Sequence, residues 1–170
     1  TLFGAKPAAP YDRDPAFAAS VAEVSKVYEQ ALLEVNAGQL GTAHNTLERV
    51  RDIMADMRQR NNVVVFSDHM NAYHSQMETI MVHGNETLAQ PKGMLLLTAQ
   101  AGALAYLAKQ LEVQATAELK QNAEFAALLK AVRQSVSDLE AALFNQDLAA
   151  TKEATGKLKG PYSKLFAKFG

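Results

Sequence analysis

Five of the six methionines and all four histidines of this chain fall between positions 44 and 83. Met70, His74, Met77 and Met81 recur at i, i+4, i+7 and i+11, which is one face of a helix. His69 and Tyr73 lie on the adjoining stripe. Thioether sulfur combined with imidazole is a soft ligand set, matched to Cu(I). If the preceding helix runs back along this one, Met57 comes beside Met70, Met54 beside His74, and His44 beside His83. Two metal sites are then expected. A soft one takes Met54, Met57, Met70, His74 and Met77. A harder one takes His44, Glu48 and His83, with His69 and Met81 as further candidates. His-x-x-x-Glu occurs twice, as His44/Glu48 and His74/Glu78, and that spacing puts imidazole and carboxylate on one helix face. The same residues also have a plainer use. Methionine fills irregular gaps in helical cores. An imidazole near a helix C-terminus, as expected for His83, is favoured by the macrodipole.

Other chemistries are excluded or unsupported. The chain has no Cys, so thiolate zinc sites, iron–sulfur clusters, disulfides and CxxCH haem attachment are ruled out. There is no Gly-rich phosphate loop, no Ser–His–Asp order, and no complete Glu-x-x-His ligand set for a di-iron bundle. A non-catalytic protein is therefore expected. The net charge of −1 gives no electrostatic footprint for nucleic acid. Lys152, Lys157, Lys159, Lys164 and Lys168 interleave with Tyr162, Phe166 and Phe169. That pattern reads as a solvated face opposite a core stripe, or as a contact for an acidic partner or membrane surface.

The elements that must position these residues are helices. The chain has 170 residues, of which 48% are hydrophobic and 21% charged, enough to bury a core without staples. No stretch reaches the roughly 18–20 apolar residues of a membrane span. Asp14 is placed to cap a first helix ending near Asn36, with Gly38 suited to a left-handed corner. A second helix is expected over about 41–60. Val63 to Phe66 reads as an extended connector. Ser67 is expected to cap a third helix ending near His83-Gly84-Asn85. A fourth should start at Pro91 and reach about Thr116, and a fifth should run from Asn122 to Phe144. The last begins near Leu148 and is interrupted by Gly160-Pro161. The spacing predicts an all-α, antiparallel up-down bundle with a four-helix core and additional short helices. Residues 1–13 would be a tail and 14–170 one domain. The segment Asn36–Met57 echoes Asn145–Leu165 in its corner and apolar spacing, a similarity that bundles also produce by physics alone.

In helix number, size and an Ala-, Gly- and Pro-rich N-terminal stretch, the layout resembles small exported bundles of the cytochrome c-prime and cytochrome b562 type. That resemblance implies a haem site, and the opening stretch, of a kind that often follows a cleaved export signal, leads to an expected periplasmic or secreted location. The c-prime CxxCH is absent, since Pro161-Tyr162-Ser163-Lys164-Leu165 stands in the last helix. A b-type haem held by His74 and a Met remains compatible with the residues present. Copper binding by the Met/His face is the first expectation. A structural or protein-interaction bundle without cofactor is the alternative.

Overall fold

The structure, a computed structural model, describes residues 7–170. Every regular element among them is helical. A 3₁₀ turn at Tyr11–Arg13 falls inside the expected tail; the tail's first six positions lie outside the described residues. The α-helices are α1 (Phe17–Asn36), α2 (Leu40–Arg60), α3 (Phe66–Leu88), α4 (Gly93–Val113), α5 (Ala117–Gln121), α6 (Ala123–Phe144), α7 (Leu148–Lys157) and α8 (Lys159–Phe169).

Local chemistry sets the ends. Asp14 does not begin α1 directly. Its Oδ1 accepts from Ala16 N–H at 2.9 Å and organises the turn that leads into Phe17. Ser67 is not the cap of α3 either. Val65 occupies that position in extended conformation, and its N–H donates to Asp68 Oδ2 at 3.0 Å. An acidic side chain three residues into a helix accepts that orphan donor and suits the dipole. α3 continues past His83 to Leu88, which puts His83 inside the helix and not at its end. α4 begins at Gly93, after Lys92 turns left-handed at φ 65°. A Cβ on Gly93 would fall 2.2 Å from the Thr87 carbonyl oxygen, so only glycine allows this approach. Thr116 then caps the extra short helix α5, and Asn122 caps α6. The last helical stretch breaks at Leu158, between α7 and α8. Pro161 there lacks the N–H that would continue the ladder.

The chain divides into two compact units, one closing at Val64 and the other Val65–Gly170. In the first, α1 packs on α2. Arg60 of α2 reaches Asp14 at 3.2 Å and the Ser20 hydroxyl at 2.9 Å, so the two helices form an antiparallel hairpin. In the second, α3 packs on α4, α4 on α6, α6 on α7 and α8, and α3 on α7 and α8. The large apolar cluster lies in this second unit, among Met70, Tyr73, Met77, Leu97, Leu104, Leu139, Leu158 and Leu165.

Candidate functional site

The row of α3 that faces inward is Met70, Tyr73, Met77 and Ile80, all wholly buried. Met70 and Met77 therefore sit in the apolar cluster and not on an open face. His74 lies one position round the helix, with its side chain 16% exposed. Its ring stacks on Tyr162, with centroids 5.3 Å apart. Its Nε2 is 3.5 Å from Glu78 Oε1, and that carboxylate oxygen also accepts from Lys159 Nζ at 3.1 Å. The Tyr162 hydroxyl donates to the Met70 carbonyl at 3.1 Å, and its ring stacks on Tyr73 at 5.2 Å. His74 is thus one link of a Lys159–Glu78–His74 series laid over two stacked tyrosines. Burial pushes the Tyr73 phenol well above its ordinary range; the neighbouring Tyr162 adds to the shift and Ser135 opposes it. The Ser135 hydroxyl donates to the Val132 carbonyl at 2.7 Å, and Tyr73 Oη has no hydrogen-bond partner.

The remaining expected ligands divide between the two units. Met54 and Met57 belong to the first unit, and Met70, His74 and Met77 to the second. His44 and Glu48, 3.6 Å apart, are likewise in the first, and His83 in the second. His83 is exposed and faces Glu86 at 3.4 Å. His69 is half-buried. Met81, partly buried, borders a cleft of 370 Å³ with Gly84, Leu88, Lys152 and Thr155. Among the described residues, no three His, Asp or Glu side chains gather as a metal ion would require.

A second feature comes from the corners. At the α1–α2 corner, Ala37 N–H donates to Leu33 O, Gly38 to Val35 O, Gln39 to Glu34 O, and Ala43 to Gln39 O. The same four bonds recur at the α6–α7 corner: Asn145 to Ala141, Gln146 to Leu143, Asp147 to Ala142, and Thr151 to Asp147. The left-handed residue is Gly38 (φ 74°) in one and Gln146 (φ 54°) in the other. The correspondence extends upstream in the same register. Asp14 Oδ1 accepts from Ala16 N–H as Asn122 Oδ1 accepts from Glu124 N–H, both at 2.9 Å. Phe17-Ala18-Ala19 then aligns with Phe125-Ala126-Ala127. The faint sequence echo is a repeated local geometry, one helix–corner–helix used twice.

The two copies differ in what covers them. In the second unit α4 lies on α6, and α3 on α7 and α8. Val136, Leu143 and Tyr162 are there no more than 3% exposed. Their counterparts Tyr28, Val35 and Met54 are 54%, 45% and 36% exposed. Exposed Leu32, Leu40 and Leu47 widen this apolar surface. The α1 row recurs at i, i+4, i+7 and the α2 row at i, i+7, i+14, so each is a single stripe. The α1 stripe stands one position after the inward row Val27, Ala31 and Glu34, and in α2 Leu40 and Met54 stand three positions before the inward Ala43 and Met57, a rotation of the same sense about each helix axis. In an antiparallel pair that offset puts them on the same side of the hairpin.

No family profile, curated protein or solved structure matches the chain. Two features escaped sequence reasoning. Tyr162 is the platform for His74, and nothing in its local pattern marks a partner 88 positions earlier. The open face of the hairpin also went unread, although the Phe-Ala-Ala triplet was a usable signal for the repeat.

Proposed function

We propose that this chain is a non-catalytic helical protein whose α1–α2 hairpin is a docking face for other helices. The observation that carries this is the exposed stripe of Tyr28, Val35 and Met54, whose counterparts in the second unit are buried under neighbouring helices. Contiguous apolar surface left in water marks interaction sites. The neighbour order of α3, α4, α6 and the α7–α8 pair fits an antiparallel four-helix bundle, and the hairpin resembles half of one. The absence of Cys makes the test direct. Met54→Cys should react with a thiol reagent at a rate close to that of a free thiol in highly dilute protein, while Leu143→Cys stays protected. A protected thiol at position 54 in dilute monomer would mean the stripe is ordinary core, and the docking reading would fall.

A second reading keeps a soft metal, copper before haem, at His74. Its support is an imidazole with residual solvent access, next to Glu78 and on the helix that carries Met70 and Met77. An anaerobic Cu(I) titration against a chromophoric chelator checks it. Stoichiometric withdrawal of copper that His74→Ala abolishes is the expected result; equal affinity in that variant sinks the metal reading.

A further inference from the structure

We infer that the groove between α4, α5 and α6 binds a small organic carboxylate that carries an aromatic or aliphatic body. Every residue lining it belongs to Val65–Gly170, so the inference is independent of the α1–α2 docking reading.

The groove follows from how the chain turns. α4 stops at Val113, the short α5 occupies the crossing, and α6 packs back on α4. On α6, Ala126, Lys130, Arg133 and Ser137 recur at i, i+4, i+7 and i+11, one stripe of the helix. Ala126 and Ser137 are small and leave room that larger side chains would fill. The result is a groove of about 530 Å³. Small-molecule sites occupy roughly 300–1,000 Å³. Buried Phe125 and Leu129 also line it and supply an apolar floor.

Its charge is one-sided. Lys120, Lys130 and Arg133 line it against Glu112. Arg133 Nη1 donates to Glu112 Oε2 at 2.6 Å, but both side chains are half in water, where such a pair contributes little. The guanidinium keeps further N–H donors for a ligand. Lys120 Nζ donates to the Val113 carbonyl at 2.8 Å, at the C-terminal end of α4. That end of the helix dipole offsets part of the ammonium charge, and the neutral carbonyl leaves the rest. Lys130 has no polar partner among the described residues. Positive charge gathered along a concave wall focuses the field and draws anions in.

The combination selects the ligand class. An inorganic anion would answer the cations and leave the apolar floor wet. A neutral apolar molecule would cover the floor and leave the cations unbalanced. A carboxylate with an apolar body does both, and a planar guanidinium matches carboxylate geometry.

Equilibrium dialysis of the full chain with naphthoate at low ionic strength tests this, with amide NMR shifts to locate the probe. Naphthoate should bind at one site and shift the amides of Lys120, Ala126 and Lys130. Naphthylmethanol and inorganic phosphate should each bind at least about 10-fold more weakly. Lys120→Gln/Lys130→Gln should weaken naphthoate about 10-fold, and Glu112→Gln should tighten it about 3-fold. Ala126→Leu fills the groove without changing its charge and should abolish binding. Lys164→Gln, on α8, should leave it unchanged. All of these positions are exposed, so the substitutions leave the core intact. No saturable binding of naphthoate up to about 1 mM overturns the proposal. So does equal affinity for naphthylmethanol or phosphate, indifference to Lys120→Gln/Lys130→Gln, or amide shifts confined to other helices.

Discussion

The two helix–corner–helix copies share their corner hydrogen bonds and one side-chain bond ahead of the first helix, yet only one is a finished core. In α6–α8 the positions beyond the inward row are Val136, Leu143 and Tyr162, buried under neighbouring helices. In α1–α2 the same positions are Tyr28, Val35 and Met54, and they face water. The inward row differs too. Ala142 packs in the second unit where Glu34 stands in the first, with Oε1 held by Gln30 at 2.8 Å and Oε2 unpartnered. Local sequence chemistry can therefore build one supersecondary unit twice, and what happens to it depends on the second layer.

The contrast should be largest in the response to losing an apolar side chain. Leu104→Ala empties a wholly buried position of the second unit and should cost about 3 kcal/mol in a denaturant titration. Leu33→Ala, on an exposed position of α1, should stay within about 0.5 kcal/mol. Equal effects would erase the distinction between finished and open units.

Next come the stacked tyrosines, where two similar deletions should have opposite signs. Tyr162→Phe removes the donor to the Met70 carbonyl and should destabilise by about 1–2 kcal/mol. Tyr73→Phe removes a buried hydroxyl with no partner and should be neutral or stabilising by roughly 1 kcal/mol. The same residue gives the second unit an alkaline limit. Folding raises the Tyr73 phenol above its ordinary value of 10.0, so its contribution is complete below that pH. It is lost as pH climbs toward the folded value. Tyr73→Phe should flatten that alkaline loss; an unchanged profile would assign it elsewhere.

The corners allow a smaller and reciprocal test. Gly38→Ala places a Cβ at φ 74° and should cost about 1 kcal/mol. Gln146→Gly relieves the same strain at the second corner and should stabilise by roughly 0.5–1 kcal/mol. Thermal midpoints that move in the same direction would mean the corners are not equivalent.

The smallest effect should appear in acid and fall on the hairpin. Asp14 is held below the usual carboxylate range by the Asn61 amide, the Ala16 N–H and Arg60. Its contribution is present above the unfolded value of 3.8 and disappears as pH falls below it. Asp14→Asn should remove that acid sensitivity from amide exchange at the α1 N-terminus, and persistence of the slope would point to another carboxylate.

Much of the helical order was legible because it is local. The corner at Gly38, the helix start near Asn122 and the break near Gly160-Pro161 all follow from short-range rules about φ, periodicity and missing donors. The misread ends show where local rules compete. Ser67 looked like a cap, but Asp68 one residue on serves Val65. The stop expected at His83-Gly84-Asn85 was overrun, since Gly84 and Thr87 are buried and packing sustains the helix. The Met70, His74, Met77 face was correctly placed on one helix, while its meaning was not readable from spacing. Whether a methionine row is a core or a ligand set depends on what lies opposite it.

By itself, the sequence determined that this protein is helical and where most helices begin and end, because capping and periodicity act over a few residues. The tertiary structure alone decided that Met70 and Met77 enter an apolar cluster, that His74 rests on Tyr162, and that Tyr28, Val35 and Met54 stay uncovered while their counterparts do not. Those outcomes depend on contacts between residues far apart in the chain, and burial is a property of the neighbour that arrives, which no local pattern encodes.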